Sequence, residues 1–526
     1  MHVNAYAPYG AEGIIIHVEA DIRRGIPGID ITGLADGAVR EARERVRAAF
    51  RNSGYAFPLD RILINLAPAG FRKEGAALDL PIAVSVMAAS GIIPVPENLM
   101  VLGELELSGR VRPVRGVLAA AAAGLNEGIR DFIVPLENAG EAAILEGINF
   151  FPAATLGEVV HALMVRGESG SLPQCVQDSS DDVDSGCSFV DFSEVRGQSR
   201  YKRALEIAAA GGHNLLVFGP PGTGKTMLAR RISSIMSPLE PEEAVEVTRI
   251  HSLAGQLSTQ SGGLIRQPPF RSPHHSASAE GILGGGRLIR PGEISLAHRG
   301  VLFLDEAPEF RITVLQALRE PLEDRLITIS RAEGQVRLPA DFQLILAANL
   351  CPCGRLGSRA GEDSALCFCS ADEIHRYWRK IGGALLDRIE LRAMALHSGK
   401  QINEQPKEES SATVRTRVLQ AVEIQRERFK NIGQRDTASG IRRNAGMGPL
   451  QIEYFCQMTS RAKEALNIAS VKLNLSDRAY HAILRTARTI ADLDAKDTLD
   501  AVHVLEAVEH RRLGDDPFDV FLGSRE

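Results

Sequence analysis

The segment NLLVFGPPGTGKTMLARRI, residues 214–232, constrains the fold of this chain more than any other. It combines an apolar strand, a glycine-rich turn and the start of a helix, and the turn follows the pattern G-x-x-x-x-G-K-[ST]. In that context backbone amides close around phosphate groups, the lysine offers a cation to the β- and γ-phosphates, and the next hydroxyl can ligate Mg²⁺. The sequence therefore predicts an ATP-binding loop made of Gly219, Pro220, Pro221, Gly222, Thr223, Gly224, Lys225 and Thr226.

A second apolar strand ends in two acidic residues. The segment GVLFLDEAPEF, residues 300–310, places Asp305 and Glu306 directly after the strand. A carboxylate in this position can hold Mg²⁺ together with the Thr226 hydroxyl, and the carboxylate after it can act as general base toward an attacking water. We therefore assign Mg²⁺ to Thr226 and Asp305, and the general base of ATP hydrolysis to Glu306.

Two further residues occupy positions suited to phosphate chemistry. Asn349 ends a third apolar strand, FQLILAANL, and its side-chain amide can donate and accept beside a γ-phosphate, with a capping role as the alternative. Arg388, in GGALLDRIELRA, lies in a short turn flanked by acids, where an arginine can stabilise transition-state charge on a neighbouring subunit's nucleotide. A local ion pair with Asp387 or Glu390 is an equally good explanation of its position.

Length and composition limit the class of protein. A chain of 526 residues exceeds the size of one hydrophobic core, so two to four domains are expected. No uncharged apolar run reaches the roughly 18 residues of a spanning helix, and the start MHVNAYAPYG lacks the parts of a signal peptide, so we expect a cytoplasmic protein without a membrane partner. The net charge of −6 argues against a basic coat and restricts any DNA contact to a local patch or a pore.

Shifts in composition divide the chain into domains. Residues 169–190 are rich in Ser, Asp and Gly without apolar periodicity, which predicts an acidic flexible linker. It separates an N-terminal domain, residues 1–168, from an α/β core, residues 191–396. Apolar residues at helical spacing then predict a helical domain over residues 397–526. The fold class is therefore α/β.

Four of the seven cysteines form two C-x-C pairs within residues 351–369. Four thiolates can bind one tetrahedral Zn²⁺ at about 2.3 Å each, and a closed site of this kind is structural. Core packing explains the pattern poorly, because a polar loop joins the pairs. Reduced, partly buried thiols are the alternative, and His375 is a nearby substitute ligand. The predicted zinc ligands are Cys351, Cys353, Cys367 and Cys369.

These motifs carry a family resemblance. Together with LSDRAYHAILRTARTIADL, residues 475–493, they resemble an AAA+ ATPase of the magnesium-chelatase/MCM branch. PFRSPHHSASAEGILGGG, RPGEISLAHRGVLFLDEAPEF and the C-x-C pairs are similar to the ComM/YifB family of bacterial magnesium-chelatase-like proteins. GLADGAVREARERVRAAFRNSGYAFP and INLAPAGFRKEGAALDLPIAV resemble that family's N-terminal domain. The resemblance implies a Lon-protease-like α/β domain, an AAA+ P-loop α/β core and a C-terminal helical lid.

The resemblance also implies an activity. Members of the family are ATP-driven DNA motors, or helicases, that promote branch migration when incoming single strands are integrated by homologous recombination during natural transformation. They form a ring, usually a hexamer, with ATP between subunits, so that Arg388 would be the finger acting in trans and Arg478 the sensor arginine of the lid. The expected partners are single-stranded and branched DNA, further copies of the chain in a hexamer assembled on ATP and DNA, and recombination proteins.

Two insertions in the core are suited to face a central pore. They cover residues 268–287, rich in Gly, His and Ser, and residues 326–340, which read as a hairpin with its turn at Glu333 and Gly334. Their arginines are the predicted phosphate contacts for DNA, although solvated loop charges explain any one of them equally well. These candidates are Arg271, Arg331 and Arg337.

The chain departs from the family pattern in three places. Where a Lon-type protease has a nucleophilic serine, this chain reads KEGAA at residues 73–77, without a hydroxyl, which argues against proteolysis. Leu350 replaces the usual proline after the sensor asparagine. The sequence PPFR at residues 268–271 replaces the usual RPFR, which removes one pore-loop arginine.

Two other functions share the same ATPase core. A metal-insertion ATPase resembling the magnesium-chelatase subunit would need a partner that carries an integrin-like metal-binding domain, and this chain has none. A protein-remodelling ATPase would be favoured by aromatic and hydrophobic residues in the pore loop, where the predicted hairpin offers only residues 331–333, RAE.

Overall fold

The computed structural model of the protein describes most of the chain. Residues 174–190 of the predicted linker, residues 332 and 333 of the predicted hairpin turn, and residues 357–366 between the cysteine pairs lie outside the described residues. Within the described residues, no helix has both the length and the apolar character needed to cross a membrane. The described ranges are 2–71, 73, 75–94, 98–173, 191–257, 263–286, 289–331, 334–356, 367–396, 408–430 and 441–512.

The first part of the chain forms a mixed seven-stranded sheet in the order β3-β4-β2-β1-β5-β8-β9, and a short hairpin, β6 and β7. Its strands are β1 (His2–Ala7), β2 (Ile14–Arg23), β3 (Gly28–Thr32), β4 (Arg61–Ala67), β5 (Leu99–Val101), β6 (Glu104–Leu105), β7 (Val111–Arg112), β8 (Asp131–Pro135) and β9 (Asn149–Ala153). Its helices are α1 (Gly37–Asn52), α2 (Asp79–Ala89), α3 (Val117–Asn126), α4 (Ala139–Ala142) and α5 (Leu156–Ser169).

Helix α1 illustrates how this sequence selects its structure. The Asp36 side chain caps the helix by accepting a hydrogen bond from the Val39 amide at 2.8 Å. Apolar residues then recur at helical spacing on one face, including Val39, Val46 and Phe50, and all three are buried in the core of the domain. Most of the charged residues between them face solvent, whereas half-buried Arg45 donates to the buried Asp79 carboxylate at 2.6 and 2.9 Å.

The middle of the chain forms a five-stranded parallel sheet in the order β11-β14-β17-β10-β18, with two hairpins outside it. Its strands are β10 (Leu215–Phe218), β11 (Phe270–Arg271), β12 (Gly284–Gly285), β13 (Arg290–Pro291), β14 (Val301–Leu304), β15 (Leu326–Arg331), β16 (Gly334–Pro339), β17 (Gln343–Ala348) and β18 (Leu391–Met394). Its helices are α6 (Ser199–Gly211), α7 (Lys225–Arg230), α8 (Ile232–Ile235), α9 (Pro241–Ala254), α10 (Ala279–Leu283), α11 (Glu293–Leu296), α12 (Ile312–Ala317), α13 (Arg319–Asp324), α14 (Ala371–Arg379) and α15 (Gly383–Leu386).

The three apolar runs around the predicted ATP site are neighbouring strands. β10, β14 and β17 are buried at every residue, as expected for parallel strands covered on both faces. The predicted hairpin is also present, as β15 and β16, but Gly334 pairs with Arg331 and begins the second strand. Gly334, which the sequence analysis placed in the turn, is therefore the first residue of β16.

In its described residues, the last part of the chain consists of helices and the segments that connect them. Helices α16 and α19 pack against α6 of the α/β core and share its hydrophobic cluster. The helices are α16 (Ser411–Lys430), α17 (Pro449–Phe455), α18 (Ser460–Lys472), α19 (Asp477–Leu493) and α20 (Ala501–Arg512).

A buried carboxylate connects the helices of this domain. The Asp492 side chain accepts hydrogen bonds from Arg428 at 2.5 and 2.8 Å, from Arg488 at 3.0 Å and from Asn444 at 2.7 Å. Asp492 and Arg488 are 2% and 1% exposed. Because both charges are desolvated, each depends on the other for compensation.

The N-terminal domain contacts the core through a second buried acid. Glu141 accepts hydrogen bonds from the Leu118 amide at 2.7 Å and from the Asn138 side chain at 3.0 Å, and the Ser252 hydroxyl at the end of α9 also donates to it. Burial raises the pKa of Glu141, while these donors oppose the shift. The carboxylate thus connects the two domains at this point.

We predict that Asp492→Asn destabilises the helical domain by about 3 kcal/mol or more, because it leaves buried Arg488 without its counter-charge. Hydrogen exchange of the α19 amides measures this free energy locally, without assuming that the whole chain unfolds in one step. Asp494→Asn is the control, because that side chain is 48% exposed and lies 3.4 Å from His503. It should cost less than about 1 kcal/mol. Equal effects of the two variants would contradict the prediction.

Candidate nucleotide-binding site

The predicted site residues meet at one edge of the parallel sheet. Because β10, β14 and β17 run in the same direction, the residues that follow them, Gly219, Asp305 and Asn349, share the carboxyl edge. Ligands of open parallel sheets bind at this edge. The sequence prediction that groups these residues in one site therefore agrees with their positions.

The backbone of the loop between β10 and α7 has the shape of a phosphate cradle. Gly222 and Gly224 have φ angles of +75° and +80°, a region that residues with a Cβ avoid. A Cβ on Gly219 would lie 2.1 Å from the Ala395 carbonyl oxygen, so only glycine fits between the loop and the end of β18. The glycines of the motif are thus required by the observed backbone, and the loop suits ATP.

Lys225 is held inside this loop by oxygen atoms. Its ammonium group donates to the carbonyls of Gly219 and Pro220, at 2.8 Å each, and to Asn349 Oδ1 at 3.1 Å. Burial lowers the pKa of Lys225 to about 8, while the charges of Asp305 and Glu306 oppose the shift. Phosphate oxygens can replace the carbonyl partners, and Asn349 already lies beside the cation.

The two acids after β14 occupy different environments. Asp305 Oδ2 accepts a hydrogen bond from the Thr226 hydroxyl at 2.6 Å, so the two predicted Mg²⁺ ligands are adjacent oxygen donors, as this ion prefers. Glu306 is exposed and has a φ of +50°. Non-glycine residues with a left-handed backbone are enriched at functional sites, and the exposed carboxylate of Glu306 can accept a proton from water.

Sequence reasoning missed two residues that brace the loop from behind. The Gln198 side chain donates to the Thr223 carbonyl at 3.2 Å and to the Leu396 carbonyl at 2.5 Å. The buried Tyr201 hydroxyl donates to the Lys225 carbonyl at 3.0 Å. Both lie at the start of α6, in VRGQSRY, which contains no spacing that marks either residue.

A third missed residue contacts the predicted general base. His275 Nδ1 lies 3.7 Å from Glu306 Oε2, and the His275 ring lies 4.1 Å from the ring of His274. The contact places the insertion of residues 268–287 directly against Glu306. The segment PHHS was visible in the sequence, but nothing in it predicts this neighbour.

Arg388 and Arg478 lie at the opposite edge of the sheet. Arg388 precedes β18, and its carbonyl accepts a hydrogen bond from Asn214, which precedes β10, at 2.9 Å. The four residues of β10 span about 13 Å, so Arg388 is separated from the loop of its own chain by the height of the sheet. Neither arginine is placed to reach the phosphate site formed by its own subunit.

The two arginines converge on one acid that the sequence analysis did not select. Glu323, in α13, accepts from Arg388 at 2.6 Å and also pairs with Arg478. These two guanidinium groups lower the pKa of Glu323, and Arg388 has the larger effect. The local partners considered from sequence are engaged elsewhere, because Asp387 lies 3.6 Å from Arg511 and Glu390 lies 3.4 Å from Arg485.

The three predicted DNA contacts differ in their surroundings. Arg271 forms a bidentate ion pair with Glu293 at 2.7 and 2.8 Å, so its charge is already compensated. Arg337 is exposed on β16, opposite Thr328. The backbone of Arg331 ends β15, but its side chain lies outside the described residues. A role of these residues in DNA binding stays a prediction.

The four cysteines of the two C-x-C pairs lie together. Their sulfur atoms are all within 4.8 Å of one another, and the four are free thiols. Cys351 is buried, Cys353 is exposed, and Cys367 and Cys369 are half-buried. The arrangement can hold one metal ion.

The N-terminal domain lacks the nucleophile of a Lon-type protease in the described structure. Ala76 and Ala77 form a turn before α2 and carry no hydroxyl. Lys73 is fully buried, donates to the Gly33 carbonyl at 2.9 Å and lies over the ring of Phe71. Burial lowers the pKa of Lys73. Its contacts fasten the chain between β4 and α2.

Three groups define the protein as an AAA+ ATPase: the phosphate loop, the acids after β14 and the asparagine after β17. They lie on a five-stranded parallel sheet that is followed by a helical domain. ATP with Mg²⁺ is the cofactor that this class implies. The chain belongs to the magnesium-chelatase-like family that includes the proteins YifB and ComM. The predicted fold class is thereby confirmed.

Three family models match successive parts of the chain. The model described as magnesium chelatase, subunit ChlI, matches residues 191–402. The model described as subunit ChlI of Mg-chelatase matches residues 18–138, and the ChlI C-terminal model matches residues 408–511. The matches therefore follow the N-terminal domain, the α/β core and the helical domain in that order.

Full-length relatives have the same organisation. The uncharacterised protein YifB of Salmonella typhimurium is 41% identical over 97% of this chain and 97% of its own. The competence protein ComM of Haemophilus influenzae is 39% identical over 97% of each chain. An archaeal Lon protease of Methanothermobacter thermautotrophicus is 32% identical over 29% of this chain and 25% of its own length. The similarity to the Lon protease supports the Lon-like character of the N-terminal domain.

We predict that nucleotide affinity falls as the pH rises through about 8. The Lys225 pKa of about 8 is depressed by burial, so the cation that attracts phosphate is fully present below this pH and is lost above it. Titration of the protein with a fluorescent ATP analogue in the presence of Mg²⁺, at pH values between 7 and 9.5, measures this change in affinity. Lys225→Arg, which stays charged over this range, should remove the slope. A slope that persists in this variant would assign the titration to another group.

Proposed function

We propose that the chain is an ATP-driven ring motor, a hexameric helicase that acts on single-stranded and branched DNA and promotes branch migration during natural transformation. ATP and Mg²⁺ bind at the loop after β10, and one structural Zn²⁺ binds at the four cysteines. The observation that carries the DNA assignment is the similarity to a competence protein over 97% of both chains. Uptake of DNA in competence yields single strands whose integration needs strand exchange.

The placement of two arginines supports assembly into a ring. Arg388 and Arg478 lie at the edge of the sheet opposite the ATP loop, beside a cavity of about 390 Å³ that is also lined by Arg443 and Arg485. The guanidinium groups of Arg388 and Arg478 are paired with Glu323, and they would stabilise transferred phosphate charge if a nucleotide took the place of this acid. In this proposal the nucleotide belongs to the next subunit, and each ATP site is completed by its neighbour.

The hairpin of β15 and β16 and the insertion of residues 268–287 supply the DNA contacts of the proposal. The insertion lies between β10 and β14 in the chain, and the hairpin lies between β14 and β17. His275 connects the insertion to Glu306. Exposed Arg337 is the described cation that is positioned to contact a DNA phosphate. Movement of the insertion can be coupled to the hydrolysis step through the contact between His275 and Glu306.

The test of a DNA motor is ATP-dependent branch migration on a labelled three-strand junction, with ATPase rates recorded with and without single-stranded DNA. We expect wild type to migrate strands and hydrolyse ATP faster with DNA. Lys225→Ala should lose nucleotide binding, whereas Glu306→Gln should bind nucleotide while turnover falls by about 10². Hydrolysis that is indifferent to DNA, without strand movement, would overturn the proposal in favour of a metal-insertion or protein-remodelling ATPase.

Mixing of variants tests the trans arrangement. Lys225→Ala keeps the arginines but loses the ATP site, and Arg388→Ala keeps the ATP site but loses the finger. If the arginine acts on a neighbour, mixed rings should regain hydrolysis at interfaces between an intact ATP site and an intact arginine. The control mixture combines Arg388→Ala with Arg478→Ala. Every ATP site in these rings meets a neighbour that lacks one of the two arginines, so hydrolysis should not be regained. Activity of the first mixture equal to the sum of its parts would place Arg388 outside the trans site.

A further inference from the structure

The sulfur atoms of the four cysteines have the spacing of a metal site. Cys351 and Cys353 are 3.3 Å apart, Cys353 and Cys367 3.6 Å, and Cys367 and Cys351 3.7 Å. A tetrahedron of sulfurs around Zn²⁺ at about 2.3 Å has edges of about 3.8 Å. The distances are too long for disulfide bonds, which measure about 2.05 Å. The Leu356 amide also donates to Cys351 Sγ at 3.3 Å.

The cluster is joined to the ATP site by the backbone of β17 and its continuation. Cys351 is fully buried and lies two residues after Asn349, whose side chain contacts Lys225 at 3.1 Å. The intervening Leu350 is also fully buried. Because buried Leu350 and then the metal ligand Cys351 directly follow Asn349, the position of the asparagine depends on that of the cluster.

A second contact reaches the phosphate loop directly. Gly354, between the two cysteine pairs, has a φ of +75°, and a Cβ on it would lie 3.4 Å from the side chain of Pro221. Pro221 is part of the ATP loop. The turn that carries Cys353 therefore packs against the outside of the phosphate cradle.

The third connection runs through the only tryptophan of the chain. Helix α14 begins directly after the second cysteine pair, and Ser370 and Glu373 form a capping box at its start. Near its end, Trp378 donates to the Leu350 carbonyl at 3.2 Å and lies edge-on to Phe218, the last residue of β10, with ring centroids 6.0 Å apart. The helix anchored at the cysteines thus supports the strand that enters the ATP loop.

We propose that Zn²⁺ at the four cysteines sets the geometry of the nucleotide site, so that loss of the metal weakens nucleotide binding. The inference rests on the proposed ATP site, but not on its coupling to DNA. Zn²⁺ fixes both C-x-C pairs, and through Asn349, Pro221 and Trp378 it holds the two sides of the phosphate loop. Without the metal, all three contacts lose a common support.

The experiment compares Cys353→Ser with wild type in the full chain. Cys353 is the exposed ligand, so its replacement removes a thiolate without opening the core. Cys456→Ser is the matched control, because Cys456 is a buried free cysteine of the helical domain, whose sulfur contacts the Leu484 carbonyl at 3.7 Å, a contact that a hydroxyl can also make. For each protein we measure the zinc content, the affinity for a fluorescent ADP analogue in the presence of Mg²⁺, and the tryptophan emission.

We expect one zinc per chain in wild type and in Cys456→Ser. Cys353→Ser should lose the metal, bind the ADP analogue about tenfold more weakly and show Trp378 emission at longer wavelength, because displaced loop atoms cost affinity steeply. Removal of zinc from wild type by a chelator should reproduce both effects, and added zinc should reverse them. This second measurement keeps the test valid should the variant fold poorly.

Two results would overturn the inference. Wild type without zinc, even after incubation with the metal, would remove the metal site. Loss of zinc with unchanged affinity for the ADP analogue and unchanged tryptophan emission would remove its connection to the nucleotide site. An ATPase indifferent to DNA would refute the proposed motor but leave these three readouts unaffected, so the two failures are distinguishable.

Discussion

The parallel hydrogen-bonded register between β10 and its neighbours determines where every group of the ATP site lies. Leu215 is opposite Ile345 on one side and Leu391 on the other, and Phe218, the last residue of β10, is opposite the last residues of β17 and β18, so the three strands end together. Residues that follow the strands collect at the phosphate loop, and residues that precede them collect at the far edge. The same register therefore separates Lys225, Asp305 and Asn349 from Arg388, and it makes the molecule two-sided: one edge binds a nucleotide and the other presents cations.

The parts of the site that sequence analysis found are those encoded locally. A strand, turn and helix in immediate succession identify the phosphate loop, and a fully apolar run before Asp305 identifies its strand. The four cysteines were recognised for the same reason, since each pair is a short motif. The family resemblance then supplied the order of the domains, which spacing alone did not determine.

The residues that were missed act across long separations in the chain. Gln198 reaches Leu396 from 198 positions away, and Glu323 meets Arg478 from 155 positions away. The sequence around these residues contains no motif that indicates their contacts, because the contacts exist only after the sheet and the helical domain have packed. The pairing of Arg388 with Glu323 rather than with an adjacent acid has the same origin. Tertiary packing decides which of several equally spaced charges are partners.

Glu323 belongs to α13 of the core, Arg388 lies in the turn before β18, and Arg478 is on α19 of the helical domain. A single carboxylate thus touches both bodies at once, and the helical domain cannot swing away from the core without breaking one of its ion pairs. Such a partly exposed ion pair contributes only about 1 kcal/mol or less to stability, so it favours one angle between the helical domain and the core without fixing it. In the proposed ring, a phosphate that takes the place of Glu323 would bridge the same two bodies more strongly, and the angle between them would then depend on whether the neighbouring subunit holds a nucleotide.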